Sequence, residues 1–600
     1  MLRNSSLTNL NPFSPLSTLP VIPTSAPFTE EQRLWLNGYI AGLISEDSTS
    51  PAITKIPKLR IPVLYASQSG NSESLAEDFA DQLSASGFDA PCLSTEDHAE
   101  IDLTSEKHLL LISSTWGEGD PPDNAIEFWE NLKSDDHPSL QNLNFSVLGL
   151  GDSNYLDFCA QAKAFDARLE ALGANRIATR VDCDTDFEEP AAEWFESVNE
   201  LLKEQVGVTE DSTNTEQKAP PSKAESGYSK KKPFHAILKA NLELNSADSA
   251  RDTRHFEFDL TGSGLNYEVG DVLGVYPKND PAMADELIEI LNFDPSAKVI
   301  TPDKQEKPLR DALIEDFDIR TLSAKMMTDW SARSSSEELA QLLESDDRKS
   351  LENYIWGREL IDLAIDHPAT FTEAPEFVTM LRKLGARLYS ICSSPKAHPD
   401  EVHLTVAKVT YESHGRQRGG VCSTYLSDRV NSGETTPIFF QPAAHFKLPT
   451  DLSTDVIMCG PGTGIAPFRA FIEEREATNA EGKNWLFFGN PHEETDFLYR
   501  EQLQAQSEAG VLTNLDLAWS RDGEEKVYVQ DKMRENGADL WKWFQGGAHF
   551  YICGDAKRMA KDVDAVLHGI AEEHGGLSEE AAKDYINQLK KEKRYQRDVY

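Results

Sequence analysis

The sequence has no long apolar segment and no recognisable export signal. No run approaches the roughly 18 consecutive apolar residues that a membrane-spanning helix requires. The N-terminus lacks the basic start and short apolar core of a secretory signal peptide. These absences predict a soluble, cytoplasmic protein.

Cysteine is scarce: there are seven, an odd number, widely spread and without a Cys-x-x-Cys pair. Such a pattern suits a reducing compartment, where thiols stay free. It also excludes a cysteine-based metal or cluster site. We therefore predict no metal.

Basic residues are few relative to acidic ones, 58 against 101, which gives a formal net charge of −43. A field of this sign repels phosphate, so it argues against binding to nucleic acid or to an anionic membrane surface. Two interpretations of the acidic surface stay open. It suits a basic protein partner, and it equally suits a solvated surface adapted to high salt.

The length of 600 residues exceeds what one hydrophobic core supports, and about 150 residues per domain predicts roughly four units. Changes in composition and periodicity predict a multidomain α/β chain. The predicted segments are an N-terminal arm and docking helix (1–58), a first α/β domain (59–203), a linker (204–233), a barrel (234–450) and a second α/β domain (451–600).

The N-terminal segment is rich in Ser, Thr, Pro and Asn up to about residue 28, which predicts a flexible arm. A short amphipathic helix is predicted next, with a stripe formed by Leu34, Leu36, Tyr39, Ile40 and Leu43. The stripe predicts a docking element and a homo-oligomer. Packing on the protein's own chain is an equal alternative.

The first α/β domain shows a strand, Ile61–Tyr65, that runs into a hydroxyl-rich loop and a helix. Free amides and the helix dipole converge on such a loop and bind phosphate. The loop contains no lysine, which excludes a nucleotide-triphosphate loop and favours flavin mononucleotide. The candidate residues are Ser67, Gln68, Ser69, Gly70, Asn71 and Ser72.

Two further apolar runs in this domain end in small polar residues and one aromatic each, as expected at the carboxyl edge of a parallel sheet. Trp116 and Tyr155 could sandwich a planar ring. The candidate residues are Ser114, Thr115, Trp116, Gly117, Leu150, Gly151, Asp152, Ser153, Asn154 and Tyr155.

The motifs Ser-Thr-x-Gly-Glu-Gly-Asp-Pro-Pro and Leu-Gly-Asp-Ser-x-Tyr follow the hydroxyl-rich loop in order. Together they resemble the flavodoxin-like domain of the diflavin reductases. The resemblance implies a doubly wound fold that binds FMN, and it adds Cys159 to the candidate set.

Residues 204–233 lose apolar periodicity and are rich in Lys, Glu, Ser, Thr and Pro. This composition predicts a flexible tether that lets the first domain leave the second half of the chain and reach a third party.

Alternating strands resume at Phe234 and predict an antiparallel barrel, interrupted by a helical insertion over about 280–373. In Arg387-Leu388-Tyr389-Ser390, the arginine suits a pyrophosphate, the tyrosine a flavin ring and the serine the hydride-accepting ring nitrogen. A second run, residues 419–424, contains two glycines and supplies backbone amides for the phosphates. A strand is predicted between these two runs, over residues 402–407. The remaining FAD candidates lie in this strand, after it and in the second run: Thr405, Val406, Ala407, Tyr411, Gly420, Val421, Cys422 and Ser423.

The second α/β domain opens with strand Val456–Cys459 and a glycine-rich turn containing Gly462 and Thr463, which suits a dinucleotide pyrophosphate. Downstream, a local pair of cations in an acidic chain suits a ribose 2′-phosphate and favours NADPH over NADH. These residues, placed at neighbouring strand ends, are Ser520, Arg521, Lys526, Val527, Tyr528, Val529 and Gln530.

Residues 60–600 as a whole resemble a diflavin reductase, with a ferredoxin-NADP reductase-like second half. The resemblance implies that Ser390, Cys553 and Asp598 assist hydride transfer, that Asp562 contributes to NADPH binding and that Tyr600 covers the FAD ring. Within this family, the sequence most resembles the members that serve sulfite reduction. The resemblance rests on residues Arg594–Tyr600 and on the expected lack of a membrane anchor.

The resemblance implies electron flow from NADPH to FAD to FMN and then to a separate sirohaem and iron–sulfur hemoprotein subunit, which reduces sulfite to sulfide for cysteine biosynthesis. Two alternatives remain. One is a soluble diflavin reductase that serves another haem or cobalamin enzyme, and the other is a non-enzymatic flavin-binding or assembly module.

Overall fold

The computed structural model describes residues 58–206, 227–345 and 348–600, other than Ser69, Glu118, Asn154, Leu156, Asp186 and Ala444. The predicted N-terminal arm and docking helix lie outside the described residues, as does most of the predicted linker. Residues Arg60–Tyr600 form one compact unit.

The first α/β domain is built on a parallel sheet with strand order β2-β1-β3-β4-β5, and β6 also pairs with β4. Strands β3 and β4 are almost wholly buried, as expected for a sheet with helices on both faces. The strands are β1 Val63–Ala66, β2 Cys92–Ser94, β3 His108–Ser114, β4 Asn144–Leu150, β5 Asn175–Arg176 and β6 Val181–Cys183. The helices are α1 Asn71–Ala85, α2 Ile126–Lys133, α3 Ala160–Ala171 and α4 Glu188–Val206.

The barrel is an antiparallel sheet with strand order β14-β9-β18-β7-β8-β15. A bridge between Ile391 and Leu404 joins its two edge strands and closes it. Closure leaves no free edge and encloses a core that includes Phe256, Phe258 and Leu404. The strands are β7 Phe234–Glu243, β8 Thr253–Asp259, β9 Val272–Val275, β14 Arg387–Ser390, β15 Glu401–Ala407 and β18 Thr435–Gln441, with a hairpin of β16 Thr410–Ser413 and β17 Arg416–Gly419, followed by α12 Val421–Thr424.

A helical insertion separates β9 from β14 and packs around a core of its own, centred on Trp330 and Phe377. Arg418 of the barrel hairpin is buried and forms ion pairs with Glu359 and Asp362 of the insertion. The insertion comprises α5 Pro281–Ile290, α6 Leu309–Glu315, α7 Ala324–Ser331, α8 Glu337–Glu344, α9 Arg348–Ile355, α10 Leu360–Asp366, α11 Ala374–Val378 and the short strands β10 Lys298–Ile300, β11 Glu306–Pro308, β12 Phe317–Asp318 and β13 Arg382–Lys383.

The second α/β domain has a parallel sheet with strand order β21-β20-β19-β22-β23. Its strands are β19 Val456–Cys459, β20 Asn484–Asn490, β21 Asn514–Trp519, β22 His549–Gly554 and β23 Tyr595–Val599. The helices are α13 Ala466–Ala477, α14 Glu493–Asp496, α15 Arg500–Glu508, α16 Val529–Glu535, α17 Gly537–Gln545, α18 Met559–Glu573 and α19 Glu579–Lys591. Two doubly wound sheets flanking an antiparallel barrel confirm the predicted fold class.

Basic side chains of the second half of the chain contact acidic side chains of the first α/β domain. On and beside α19, Lys583 pairs with Glu127, Lys591 with Asp97 at 3.2 Å and Glu100 at 2.5 Å, and Arg597 with Asp123 at 2.5 Å. From the insertion, Arg382 pairs with Asp184 at 2.5 Å and Asp152 at 3.4 Å. The first domain is therefore docked by its acidic side chains.

All seven cysteines lie within the described residues and are free thiols. None of the described helices combines the length and apolar character needed to span a membrane.

Candidate functional site

The three loops of the predicted mononucleotide site lie side by side, because β1, β3 and β4 are neighbours in the sheet. Their carboxyl ends share one edge, where parallel α/β sheets bind ligands. Gly70 stands at the N-terminus of α1 with a φ of +84°, a left-handed conformation that glycine tolerates. A ligand at this edge therefore meets the N-terminal amides of α1.

Two hydroxyl groups of the first loop are buried without a hydrogen-bond partner within the described part of the chain, namely Ser67 Oγ and Ser72 Oγ. A buried hydroxyl left unpaired is costly, so such groups are normally satisfied by a ligand or water. The side chains present therefore fit the phosphate of FMN. Gln68 instead holds the neighbouring loop, since its amide bonds Asp123.

The other two loops show which predicted residues face the site and which support it. Trp116 is half-buried and Tyr155 is 63% exposed, so both rings are available at the rim. The backbone and hydroxyl of Ser153 bond Asp184, and Thr115 Oγ1 accepts a bond from the Gln161 amide. Of the other candidates, Ser69 and Asn154 lie outside the described residues, and Ser114, Gly117, Leu150, Gly151 and Asp152 occupy the strand ends.

Cys159 is buried directly behind the third loop. A Cβ added to Gly151 would lie 3.0 Å from both the amide nitrogen and the sulfur of Cys159, so a side chain there would force Cys159 to shift. Burial raises the pKa of the Cys159 thiol to about 12. Cys159 therefore acts as a neutral packing group under the loop.

In the barrel, β14 places Arg387 and Tyr389 half-buried beside the turn that precedes α12, while Leu388 is exposed. Tyr389 contacts the thiol of Cys422, and burial raises the pKa of both groups, that of Cys422 to about 12. Ser423 Oγ accepts a bond from the Val409 amide at 3.2 Å. The predicted FAD strand and turn are therefore adjacent.

The structure does not bring every predicted side chain of the barrel into this site. Thr405 directs its hydroxyl to Tyr499 at 2.6 Å, and Val406 packs in the barrel core. Ala407 and Tyr411 are exposed, and Gly420 and Val421 form the turn into α12. Among β15 candidates, Thr405 and Val406 could contact a cofactor only through the backbone.

Two arginines that sequence reasoning missed lie beside the same turn. Arg320 donates to the Gly419 carbonyl and Arg429 to the Val421 carbonyl, the latter at 3.2 Å. Within the described residues, Arg320 Nε and Arg429 Nη1 are buried without partners. Burial and the charge of Arg320 lower the pKa of Arg429. Arg320 also pairs with Glu359 at 3.2 Å, so each arginine keeps one unpaired nitrogen at the glycine turn. Two such arginines fit the pyrophosphate of FAD.

Ser390, Cys553 and Asp598 meet where the barrel contacts the second α/β domain. Ser390 Oγ donates to Asp598 Oδ2 at 2.6 Å, and Cys553 Sγ lies 3.5 Å from the same oxygen. Cys553 and Asp598 are register partners on β22 and β23. Burial and the adjacent carboxylate raise the pKa of Cys553, so it remains a thiol. One carboxylate oxygen therefore organises two proton-bearing groups.

The glycine-rich turn after β19 packs closely against β22. A Cβ added to Gly464 would lie 2.2 Å from the Cys553 carbonyl oxygen. Gly462 has a φ of +59°, and the hydroxyls of Thr463 and Tyr600 lie 2.8 Å apart. Tyr600 is 61% exposed. The predicted dinucleotide turn, the thiol and the terminal aromatic thus form one site.

The predicted 2′-phosphate residues lie at the edge of β20, β21 and α16. Arg521 and Lys526 are exposed and form no ion pair within the described residues. Val527 and Tyr528 precede α16, and Val529 and Gln530 begin it, so placing these four at a strand end was wrong. Gln530 Nε2 bonds Asp562 Oδ2 at 3.3 Å, which brings together two candidates distant in sequence. Ser520 follows β21 directly.

Three family models match successive parts of the chain. The flavodoxin model matches residues 63–194, the FAD binding domain model residues 226–425, and the oxidoreductase NAD-binding domain model residues 458–565. Their order agrees with the first α/β domain, the barrel and the second α/β domain described above. The chain therefore uses FMN, FAD and a nicotinamide cofactor.

Curated relatives match over nearly the full length. A protein of Bacillus subtilis (strain 168) is 46% identical over 97% of both chains, one of Salmonella typhimurium (strain LT2) is 40% identical over 99% of both, and one of Shigella flexneri serotype 5b is 41% identical over 99% of both. All three bear the same name. The chain belongs to the family of sulfite reductase [NADPH] flavoprotein alpha-components, within the diflavin reductases.

Proposed function

We propose that this protein is the flavoprotein component of an assimilatory sulfite reductase, and that a separate sirohaem and iron–sulfur hemoprotein subunit receives its electrons and reduces sulfite to sulfide for cysteine biosynthesis. The observation that carries the enzymatic part is the Ser390–Asp598–Cys553 trio at the junction of the barrel and the second α/β domain. The names of the relatives support the sulfite-reducing partner.

When bound, FAD would accept a hydride from NADPH and pass the electrons one at a time to FMN, from which they would reach the hemoprotein. The chain's own residues prepare that transfer. Asp598 accepts a hydrogen bond from Ser390 and so fixes that hydroxyl in one orientation. Cys553 is kept protonated by burial, which leaves a neutral thiol rather than an anion beside the site.

Arg320, Arg387 and Arg429 would hold the FAD pyrophosphate, and Ser67 and Ser72 the FMN phosphate. Arg521 and Lys526 would bind the 2′-phosphate of NADPH. Against a net charge of −43, these two exposed cations would supply a local attraction for phosphate.

The proposal is tested by reconstitution with purified sirohaem subunit. We expect the full chain, loaded with both flavins, to support NADPH-dependent formation of sulfide, and a variant lacking bound FMN to reduce ferricyanide but not the hemoprotein. Reduction of ferricyanide or cytochrome c without any transfer to the sirohaem subunit would favour a reductase for another haem or cobalamin enzyme. Failure of both reactions would favour a non-enzymatic flavin-binding module.

We also propose that residues 1 to about 52 drive self-association through the stripe Leu34, Leu36, Tyr39, Ile40 and Leu43, which lies outside the described residues. Deleting that segment should give a monomer with intact ferricyanide activity. Sedimentation analysis measures the change, and an unchanged mass would contradict the proposal.

A further inference from the structure

The phosphate loop of the first α/β domain, residues 67–72, lies against the barrel. A Cβ added to Gly70 would lie 2.3 Å from His445 Nδ1 and 2.6 Å from His445 Cε1, so the imidazole ring packs directly on the backbone of the loop. His445 follows β18 of the barrel, and the contact therefore joins two domains. The ion pairs described above involve acidic residues outside this loop.

Two further contacts link the phosphate loop to the second half of the chain. At the end of β18, Gln441 Nε2 donates a hydrogen bond to Asn71 Oδ1 at 3.1 Å. Asp123 Oδ2 accepts hydrogen bonds from Gln68 Nε2 at 3.2 Å and from Arg597 Nη1 at 2.5 Å, so Asp123 connects the loop to β23. Three positions of the loop are therefore held, directly or through one residue, by the barrel and the second α/β domain.

The same loop is where the phosphate of FMN fits. Ser67 Oγ and Ser72 Oγ are buried without a hydrogen-bond partner within the described residues, and a ligand oxygen would satisfy them. Gly70, with a φ of +84°, stands at the N-terminus of α1, where free amides face a bound anion. His445 thus contacts the residue at which the backbone turns into the anion site.

The contact made by His445 does not depend on charge. Burial is the largest influence on this ring and lowers its pKa, so the imidazole is neutral at pH 7. Glu73 of α1 and Asp598 of β23 favour the charged form, whereas Lys447 and Lys593 oppose it. A neutral ring supports the loop by packing, and salt does not screen packing as it screens an exposed ion pair.

We propose that His445 and Gln441 are positioning residues of the FMN site, which hold the phosphate loop in its binding shape while the first α/β domain is docked. Coupling between two equilibria is reciprocal. The docked chain therefore binds FMN more tightly, and bound FMN favours docking. This inference requires FMN in the first domain but no particular electron acceptor, so it can fail without the proposed sulfite-reducing role failing.

The first test measures FMN affinity in the full chain with FAD bound and FMN removed. Quenching of flavin fluorescence follows the titration. We expect His445→Ala to raise the Kd for FMN about tenfold and to leave the Kd for riboflavin, which has no phosphate, almost unchanged. His235→Ala is the matched control, because His235 is an exposed histidine on β7 of the same barrel, and it should bind FMN like the unmodified chain. The FAD content of each variant checks that the barrel is folded.

A double-mutant cycle tests whether the effect passes through the contact itself. Gly70→Ala should weaken FMN binding, because the added methyl takes a left-handed φ and meets the His445 ring. In the His445→Ala background the second cause is removed, so Gly70→Ala should weaken binding by a smaller factor. Equal factors in the two backgrounds would contradict the proposal, since residues that do not interact have additive effects.

The reciprocal effect is measured by small-angle X-ray scattering at low salt. Adding FMN to the FMN-depleted full chain should reduce its radius of gyration, and this reduction should be smaller in His445→Ala than in His235→Ala. The proposal would be overturned by an FMN Kd that His445→Ala leaves unchanged, by an equal loss of affinity for riboflavin, or by a radius of gyration that does not depend on FMN.

Discussion

Asp598 joins the barrel hydroxyl to the thiol of the second α/β domain, with its Oδ2 at 2.6 Å from Ser390 Oγ and 3.5 Å from Cys553 Sγ. We expect Asp598→Asn to slow flavin reduction by NADPH about 10²-fold, since the amide cannot replace the charged acceptor. Stopped-flow absorbance measures the rate. Reduction by dithionite and FAD content should be unchanged, and an unaltered NADPH rate would show that the trio is structural.

Arg521 and Lys526 give a second prediction at this scale. We expect alanine at either position to raise the KM for NADPH about tenfold, because each charge-assisted contact to phosphate is lost, and to leave the KM for NADH almost unchanged. Lys532→Ala is the control, since Lys532 lies on α16 and pairs with Glu535. Equal losses for both cofactors would contradict the assignment of the 2′-phosphate site.

Single residues also show what the sequence could and could not reveal. The trio was predicted from a resemblance, because its members are hundreds of residues apart and only the fold brings them together. Arg320 and Arg429 were missed because they too are far apart in sequence and no motif marks either of them. Arg320 lies in the insertion, and Arg429 follows α12. Their unpaired nitrogens could be recognised only from the structure, which shows that these atoms are buried.

Among the elements, the turn Gly462–Ile465 depends on how closely it approaches β22. We expect Gly464→Ala to destabilise the second α/β domain by about 1–3 kcal/mol, because the added methyl would meet the Cys553 carbonyl at 2.2 Å. Thermal unfolding and NADPH affinity measure the effect. Gly569→Ala is the control: Gly569 lies in α18 with nothing within 4 Å of an added Cβ, so alanine should be neutral or stabilising by up to about 1 kcal/mol.

Element types were predictable wherever periodicity was strong. The buried runs that became β3, β4 and β19 follow from hydrophobic pattern alone. The alternation in residues 402–407 also predicted a strand, but with one buried face; in β15 the residues from Val402 to Val406 are all buried, so that part of the prediction was wrong. Val529 and Gln530 were predicted to lie at a strand end, because a short run with β-branched residues favours a strand. In the structure, the capping bonds of Tyr528 and Asp531 start a helix there.

Across the whole molecule, the ion pairs that hold the first α/β domain range from exposed pairs on α19 to partly buried ones, in which the side chains of Arg597 and Arg382 are 19% and 25% exposed. The side chains of Lys583 and Glu127 are 56% and 53% exposed, and exposed pairs contribute roughly 0–1 kcal/mol each. Salt screens such pairs over a Debye length of about 8 Å at physiological ionic strength. The pairs made by α19 are therefore expected to contribute little to docking and to weaken as salt rises.

We expect the radius of gyration of the full chain, measured by small-angle X-ray scattering, to increase as salt rises. Lys583→Glu combined with Lys591→Glu should give the expanded form already at low salt, because both pairs then become repulsive. Lys542→Glu is the control, since Lys542 pairs with Asp539 inside the second α/β domain. If the radius of gyration changes neither with salt nor on charge reversal, contacts other than these ion pairs hold the first α/β domain.

The helical insertion has a consequence for how the chain acquires its structure. Val275 of β9 pairs with Arg387 of β14, although the whole insertion lies between them. Closing so long a loop is entropically costly and slows folding. The insertion has its own core, so it can fold locally and bring the two strand ends together beforehand. Destabilising that core should then slow barrel closure during refolding, even though no residue of the barrel has changed.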